Sequence, residues 1–590
     1  MNKNYTPMKI SNITICMLLA GLLLGGCNKD YLNTVPKDRL DATKFFNTAK
    51  DLEVYTNGFY TQLPDYHLYD ASYGESSDDI VPLIAPDRIK GTRIVPVASG
   101  SGDWAWSDLR TINYFLTHYQ KCPDEAAKLR YGAVARFFRA FFYYDKVRKF
   151  GDVPWYNKVL SADDEDLYKA RDSRQLVMDS VVADLDFAIA NLPAEVKINE
   201  ITKYTALALK SRVCLFEGTY RKYHGITDFE DLLKASAEAS SQLMTESPYK
   251  LYTKGGAGSC YRDLFARNDQ TTEETILAKD YNPDFGRHTL GYLMTSPTSG
   301  SWGMTQDLVN SYLMKDGTKF TDIAGYDKMA FYELMQNRDP RLTQSTAGPD
   351  FAVYGTTAPE PVSLNATTTG YRVIKALPGK DQWSSSSSYN DIIIFRLGEV
   401  LLNYAEAKAE LGTLTQQDLN QSINLLRDRV DMPHLDLSAA NAHPDSYLAA
   451  MYPHVGNTAN KGVILEIRRE RRVELFDEGF RWDDLMRWKE GKKLEKPMVG
   501  LYFPHLGAYD FTGDGKADVY VYSGDKSGAP SSVTSFIDIK QRPLTSGQSG
   551  NMNPFDYQVH FDENKDYLQP IPLEDLKLNK NLDQNPGWEQ

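Results

Sequence analysis

The sequence predicts a mostly α-helical fold: antiparallel helix pairs carrying an irregular, loop-rich lobe with short β segments. Three observations predict it. Apolar residues recur at helical spacing through two blocks, 105–250 and 395–490. Gly and Pro close these runs where helices should stop. Outside them, residues 67–104, 255–394 and 496–560 lose the period and fill with Gly, Ser, Thr, Pro and aromatics. With 590 residues, 42% hydrophobic and 25% charged, the chain can bury a large core.

Taken in order, 37–66 reads as a helix carrying Phe45, Phe46, Leu52, Tyr55, Phe59 and Tyr60. A second runs from about Ser107 to Gln120. Val134, Phe137, Phe138, Phe141 and Phe142 mark a third, stopped by Gly151 and Pro154. Arg136 and Arg139 interrupt its aromatic stripe; their stems can cover apolar surface while their heads reach acids. Amphipathic helices follow over 171–192, 202–223 and 229–244, and Cys214 falls on an apolar stripe as a core residue. Helical signals return with Leu397, Val400, Leu401, Tyr404 and Ala405, then over 415–430 and 463–476, and again from Asp483 to Lys489. The charges between Glu470 and Arg487 are balanced on helices that must dock, which fits an ion-pair network better than a catalytic or phosphate-binding cluster. Val519 to Val521 is β-prone. Helix–turn–helix units of this size resemble tetratricopeptide repeats, with a loose match to the repeat's own spacing.

The N-terminus carries the most specific local signal. Lys3 and Lys9 precede a mostly apolar run from Ile10 to Leu24, and Leu24-Gly25-Gly26-Cys27 follows. This resembles a lipobox. Residues 1–26 are expected to be a removed signal, Cys27 the lipidated residue, 27–36 a polar tether and 37–590 a single body. The apolar run is shorter than the roughly 20 residues that span a bilayer. Acyl chains on Cys27 would hold the body at a membrane, at about 0.8 kcal/mol per buried methylene. The formal net charge of −13 argues against nucleic acid as the main ligand. Five widely spaced cysteines make neither a disulfide-dense scaffold nor a structural zinc site.

Several patches, in order behind the lipobox, resemble the SusD/RagB family of outer-membrane nutrient-binding lipoproteins of Bacteroidota. They are Tyr31-Leu32-Asn33-Thr34-Val35-Pro36, then Ala135 to Tyr143 running into Phe150-Gly151-Asp152-Val153-Pro154, then Thr202 to Lys210. Arg396-Leu397-Gly398-Glu399 leads to Tyr404-Ala405-Glu406-Ala407, and Glu470-Arg471-Arg472 leads to Arg487-Trp488. Pro570-Ile571-Pro572 and Gln584-Asn585-Pro586-Gly587-Trp588 close the chain. The resemblance implies a tetratricopeptide-like scaffold with a ligand-bearing irregular lobe, and a surface-facing place on the outer membrane. It also implies capture of a nutrient glycan and its delivery to a SusC-like TonB-dependent transporter. A peptide or other non-sugar ligand, or a mainly structural transporter lid, stays open. No enzyme is implied, and no metallopeptidase or phosphate-loop motif occurs.

A sugar presents apolar C–H faces and hydroxyl edges, so its site needs exposed rings flanked by polar groups. Trp104, Trp302 and Trp383 are the ring candidates, with Tyr73, Asp78 and Arg93 from the first long loop. No family motif fixes these positions. No cofactor is expected, with one candidate exception. Asp510, Thr512, Asp514, Lys516 and Asp518 fall where a calcium hand places its ligands, with Gly515 at the turn. Val521 stands where the bidentate Glu belongs, so the segment is either a Ca²⁺ loop or a polar turn partly like one.

Overall fold

The computed structural model describes residues 45–69, 77–555 and 558–589. The expected signal, Cys27, the tether and Tyr73 lie outside the described residues. No helix among those described is long and apolar enough to cross a membrane.

The scaffold is a series of stacked helices. Helix α1 (Ala49–Asn57) opens on a reciprocal cap: the Thr48 hydroxyl accepts from the Asp51 N–H, and the Asp51 carboxylate accepts from the Thr48 N–H. Within the described part of the expected helix over 37–66, helical geometry starts at Ala49 and tightens into a 3₁₀ turn at Gly58–Gln62. Helices α2 (Ser107–His118), α3 (Glu125–Phe150), α4 (Arg174–Asn191), α5 (Lys203–His224) and α6 (Glu230–Glu246) fall within a few residues of their sequence positions. Asp124, Ser173 and Thr202 cap three of them, and Gly225 ends α5 in the left-handed region that glycine tolerates. Consecutive helices from α2 to α6 pack on one another, and α7 (Leu397–Glu410) returns to lie against α6. The run 415–430 splits into Gln416–Asn420 and Ile423–Arg429, because Ser422 leaves helical geometry and its hydroxyl donates to the Asp418 carbonyl.

The irregular lobe is held by short antiparallel pairs: β1 (Ile80–Val81) with β3 (Gly303–Met304), and β2 (Thr275–Lys279) with β4 (Ile392–Arg396). Strand β5 (Tyr502–Phe503) pairs with β9 (Gly550–Asn551). A three-stranded sheet, β6 (Gly507–Tyr509), β7 (Val519–Tyr522) and β8 (Ser535–Asp538), contains one parallel pair. Each half has its own hydrophobic core.

Helix α8 (Lys461–Glu474) belongs to both halves. Val463, Leu465 and Ile467 enter the helical core, while Val473 enters that of the lobe. Its charged residues are buried and paired. Glu474 holds Arg396 at 2.8 Å and Arg429 at 2.6 Å, and Glu470 holds Arg341 at 2.5 Å. Helix α9 (Arg481–Arg487) adds Arg481 on Asp78 at 2.7 Å and Arg487 on Glu406 at 2.5 Å. The ion-pair reading of 470–487 thus describes the structure. Arg136 and Arg139 both reach Asp184, as their place in the aromatic stripe suggested.

Candidate functional site

A cavity of about 730 Å³ lies in the irregular lobe. Its walls are the short helices Cys260–Ala266 and Arg341–Ser345, the turn at 335–339 and the loop 348–356. Gln344 ties the two helices together. Its amide oxygen accepts from the Tyr261 and Arg262 N–H groups at 2.9 and 3.1 Å, and its amide nitrogen donates to the Ala257 carbonyl. Asp339 accepts from the Arg341 N–H and fixes the turn beside it.

Polar groups and rings share the lining. Asp263 accepts hydroxyl hydrogen bonds from Tyr354, at 2.6 Å, and from Tyr252. Burial pushes both phenols up, Tyr252 to about 12, so they act as neutral donors. Arg338 lies over the Phe320 ring at 3.6 Å and donates to the carbonyls of Val309, Tyr312 and Leu334. Arg262 donates to the Ala352 carbonyl and sits over Phe351. Burial, with Arg372 nearby, pulls the Arg262 guanidinium down to about 10, so it stays charged at neutral pH. Such a lining can grip a hydroxylated ligand through many donors and offers no nucleophile paired with a base.

A second hollow, of about 450 Å³, is a more apolar groove on the scaffold lined by Trp104, Trp106, Tyr156, Tyr168 and Leu578. Its polar groups are mostly committed: Arg110 donates to the Leu160 carbonyl, and Asn113 to those of Tyr156 and Lys158. It is therefore the poorer match to hydroxyl edges.

The ring and loop candidates do not converge. Trp302 is only 5% exposed and packs in the core of the lobe, and Trp104 is 2% exposed against Phe150. Trp302 offers no open face and Trp104 only a 2% exposed edge on the scaffold groove, which corrects the expectation for both. Asp78 is also corrected: it is buried between Arg472, Arg481 and Lys493, and its carboxyl sits well below the usual range because those cations hold it ionised against the cost of burial. Arg93 is paired with Asp566 at 2.8 Å and lies over Trp588, a contact that pins the C-terminal segment. Trp383 remains half-buried on the Ser-rich loop, its indole N–H on the Pro378 carbonyl.

The candidate calcium segment folds as a polar turn. Asp510 accepts from the Gly513 and Gly515 N–H groups, Asp514 from Lys516, and Asp518 from Phe511 and Thr512. These carboxylates brace a turn with its own backbone. Among the described residues, no group of three or more His, Cys, Asp or Glu side chains is arranged to hold a metal.

Sequence reasoning missed Arg262, Tyr354 and Phe285. Phe285 is 92% exposed at the tip of a turn closed by Asn282 and Gly286. Its signal, an aromatic between Asp284 and Gly286 in a loop-rich stretch, was as strong as that of any loop Trp.

Comparison with known proteins decides the family. The description "SusD family" matches residues 263–588, more than half of the chain. The chain belongs to the SusD family. A second description, "Starch-binding associating with outer membrane", matches residues 98–222. SusD-like protein P38 of Formosa agariphila is 26% identical over 83% of this chain and 93% of its own. SusD-like protein P2 of the same organism is 24% identical over 98% and 100%. A solved SusD-like carbohydrate binding protein of Bacteroides fragilis superposes with a TM-score of 0.67 at 22% identity, covering 91% of this chain and all of that one. A second SusD-like structure from Bacteroides fragilis gives 0.66 at 20% identity, over 93% and 98%. This SusD-family fold places the cavity of about 730 Å³ within the loop-rich stretch between the two helical blocks.

Proposed function

We propose that the chain is a cell-surface glycan-binding subunit that passes nutrient oligosaccharide or polysaccharide to a SusC-like TonB-dependent transporter. The cavity of about 730 Å³ in the irregular lobe carries this reading: it is large enough for several sugar units and combines the Tyr354 phenol, the Arg262 and Arg338 guanidinium groups and the Phe351 ring. Family membership supports the glycan, the transporter partner and the outer-membrane place. Cys27 would carry the acyl chains that hold the body there, facing outward. The reading is one of binding, with no catalytic role assigned to any residue.

The test is a glycan array on the purified protein, followed by calorimetry on the best ligand. Tyr354→Ala removes one of the two hydroxyls on Asp263 and is expected to weaken binding about tenfold, the worth of one good polar contact. Trp383→Ala and Phe285→Ala probe two loop rings that are not fully buried. Unchanged affinity in both would exclude those rings and leave the cavity as the site. A folded protein that binds no glycan at all would overturn the proposal.

A further inference from the structure

Buried arginines in this protein are mostly held by acids. Arg396, Arg429, Arg341, Arg472, Arg481 and Arg487 each have a carboxylate within 3.0 Å. Beside the cavity this pattern breaks. Arg262, Arg338 and Arg372 have no carboxylate at ion-pair distance among the described residues. Arg262 keeps two buried guanidinium nitrogens without a partner, and Arg338 and Arg372 each keep one.

Other buried arginines also leave guanidinium nitrogens unpaired, Arg429 and Arg468 among them, but each of those has a carboxylate within 4 Å. The Arg262 and Arg372 guanidiniums lie 5.4 and 5.3 Å from the Phe351 ring, and Arg372 also lies 5.5 Å from Trp383. Cation and ring thus alternate from the cavity wall to the Ser-rich loop. The acid that Arg372 feels most, Glu360, is shared with Lys380 at 3.5 Å. Among the carboxylates lining the cavity, Asp263 is engaged by two phenols and Asp339 by Arg341, while Asp350 is exposed. Lys315, also on the wall, donates only to the Val430 carbonyl. A buried guanidinium left with free N–H groups is costly, and an anion that supplied the missing acceptors would relieve that cost.

We propose that Arg262, backed by Arg372 across Phe351 and flanked by Arg338, is an anion subsite that selects acidic glycans. This deepens the proposed function and rests on it. The ligand class is a sugar chain bearing uronate carboxylates or sulfate esters, both of which match the planar donor fork of arginine.

The experiment is calorimetry of the full chain with three probes: polygalacturonate oligosaccharides, the same oligosaccharides after carboxyl reduction, and κ-carrageenan oligosaccharides, which carry sulfate esters and no uronate. Each is run with wild type, Arg262→Gln and Arg262→Met. At least one acidic probe is expected to bind roughly tenfold or more tightly than the reduced one, the worth of a charge-assisted hydrogen bond. Which acidic arm responds distinguishes carboxylate from sulfate. Both variants should lose the preference, with melting temperature unchanged or raised, because an unpaired buried charge has been removed. Equal binding of acidic and reduced probes, or a preference that survives Arg262→Gln, overturns the subsite while leaving glycan binding intact. A lower melting temperature in Arg262→Met with the preference retained makes Arg262 a structural residue and also overturns it. If no probe binds and the glycan array is blank, the underlying function falls as well.

Discussion

His288 shows how one side chain fixes a loop. Its Nε2–H donates to the Asn390 carbonyl at 2.9 Å, and its Nδ1 accepts from the Leu290 N–H. Both ring nitrogens are satisfied only in the neutral tautomer, and burial holds the group down from 6.5 to about 4. A histidine lowered in the folded state contributes stability that is fully present above about 6.5 and is lost as pH falls toward 4. The melting temperature should therefore drop between pH 7 and pH 4.5, with His288 supplying on the order of 2 kcal/mol. His288→Gln should lower stability at pH 7 but flatten this drop; a drop of the same size in the variant would exclude the histidine as its source. The tryptophans were harder to read from sequence. Gly303 stands beside Trp302 in a loop-rich stretch, yet a Cβ there would lie 2.1 Å from the Thr369 hydroxyl. The glycine permits close packing of β3, and the Trp next to it is core. Residue type and local composition do not distinguish these two uses of glycine.

At the scale of elements, α8 does the most. All its residues from Gly462 to Glu474 are buried, which its charged sequence would forbid without partners. Those partners come from both halves: Asp78, Asp79 and Asp307 on Arg472 and Arg341 on Glu470 from the lobe, and Glu406 of α7 on Arg471. The balanced charges on 470–487 were legible as an ion-pair network, as were the caps and Gly/Pro stops that bound α3 to α6. The partner acids were not, because Arg472 and Asp79 are separated by 393 residues and no local pattern records the contact. The same distance hid the cavity, whose walls join residues near 260 to others near 340 and 350. Glu474→Gln should cost about 3–5 kcal/mol, because Arg396 and Arg429 would stay buried beside a neutral amide. Urea unfolding measures this. A loss below about 1 kcal/mol, the range of exposed pairs, would mean the network adds little beyond packing.

The described residues form two large hydrophobic cores and two small clusters, and a chain of this length ordinarily divides into domains that melt apart. Here the division is bridged from within. One face of α8 completes the helical core and its C-terminal turn completes that of the lobe. The lobe also sends β4 directly into α7, with Arg396 at the junction held by Glu274, Glu474 and Glu478. Neither half can unfold alone without leaving buried charges of the other uncompensated, at several kcal/mol each. Calorimetry of the ligand-free protein should therefore show a single endotherm. In Glu474→Gln it should shift downward as one peak. The carboxylates of the network make the same prediction for acid. Glu474 is held well below its usual range, opposed by burial but carried by Arg429, Arg396 and Arg341, and Glu406 is lowered to about 2 by Arg487 and Arg471. Groups lowered in this way give stability that is present above about 4.5 and is lost as pH falls through their folded values. Below pH 4 the helical far-ultraviolet signal and the aromatic signal of the lobe should vanish together. A lobe that melts first, with the scaffold helices intact, would show that α8 belongs to the scaffold alone.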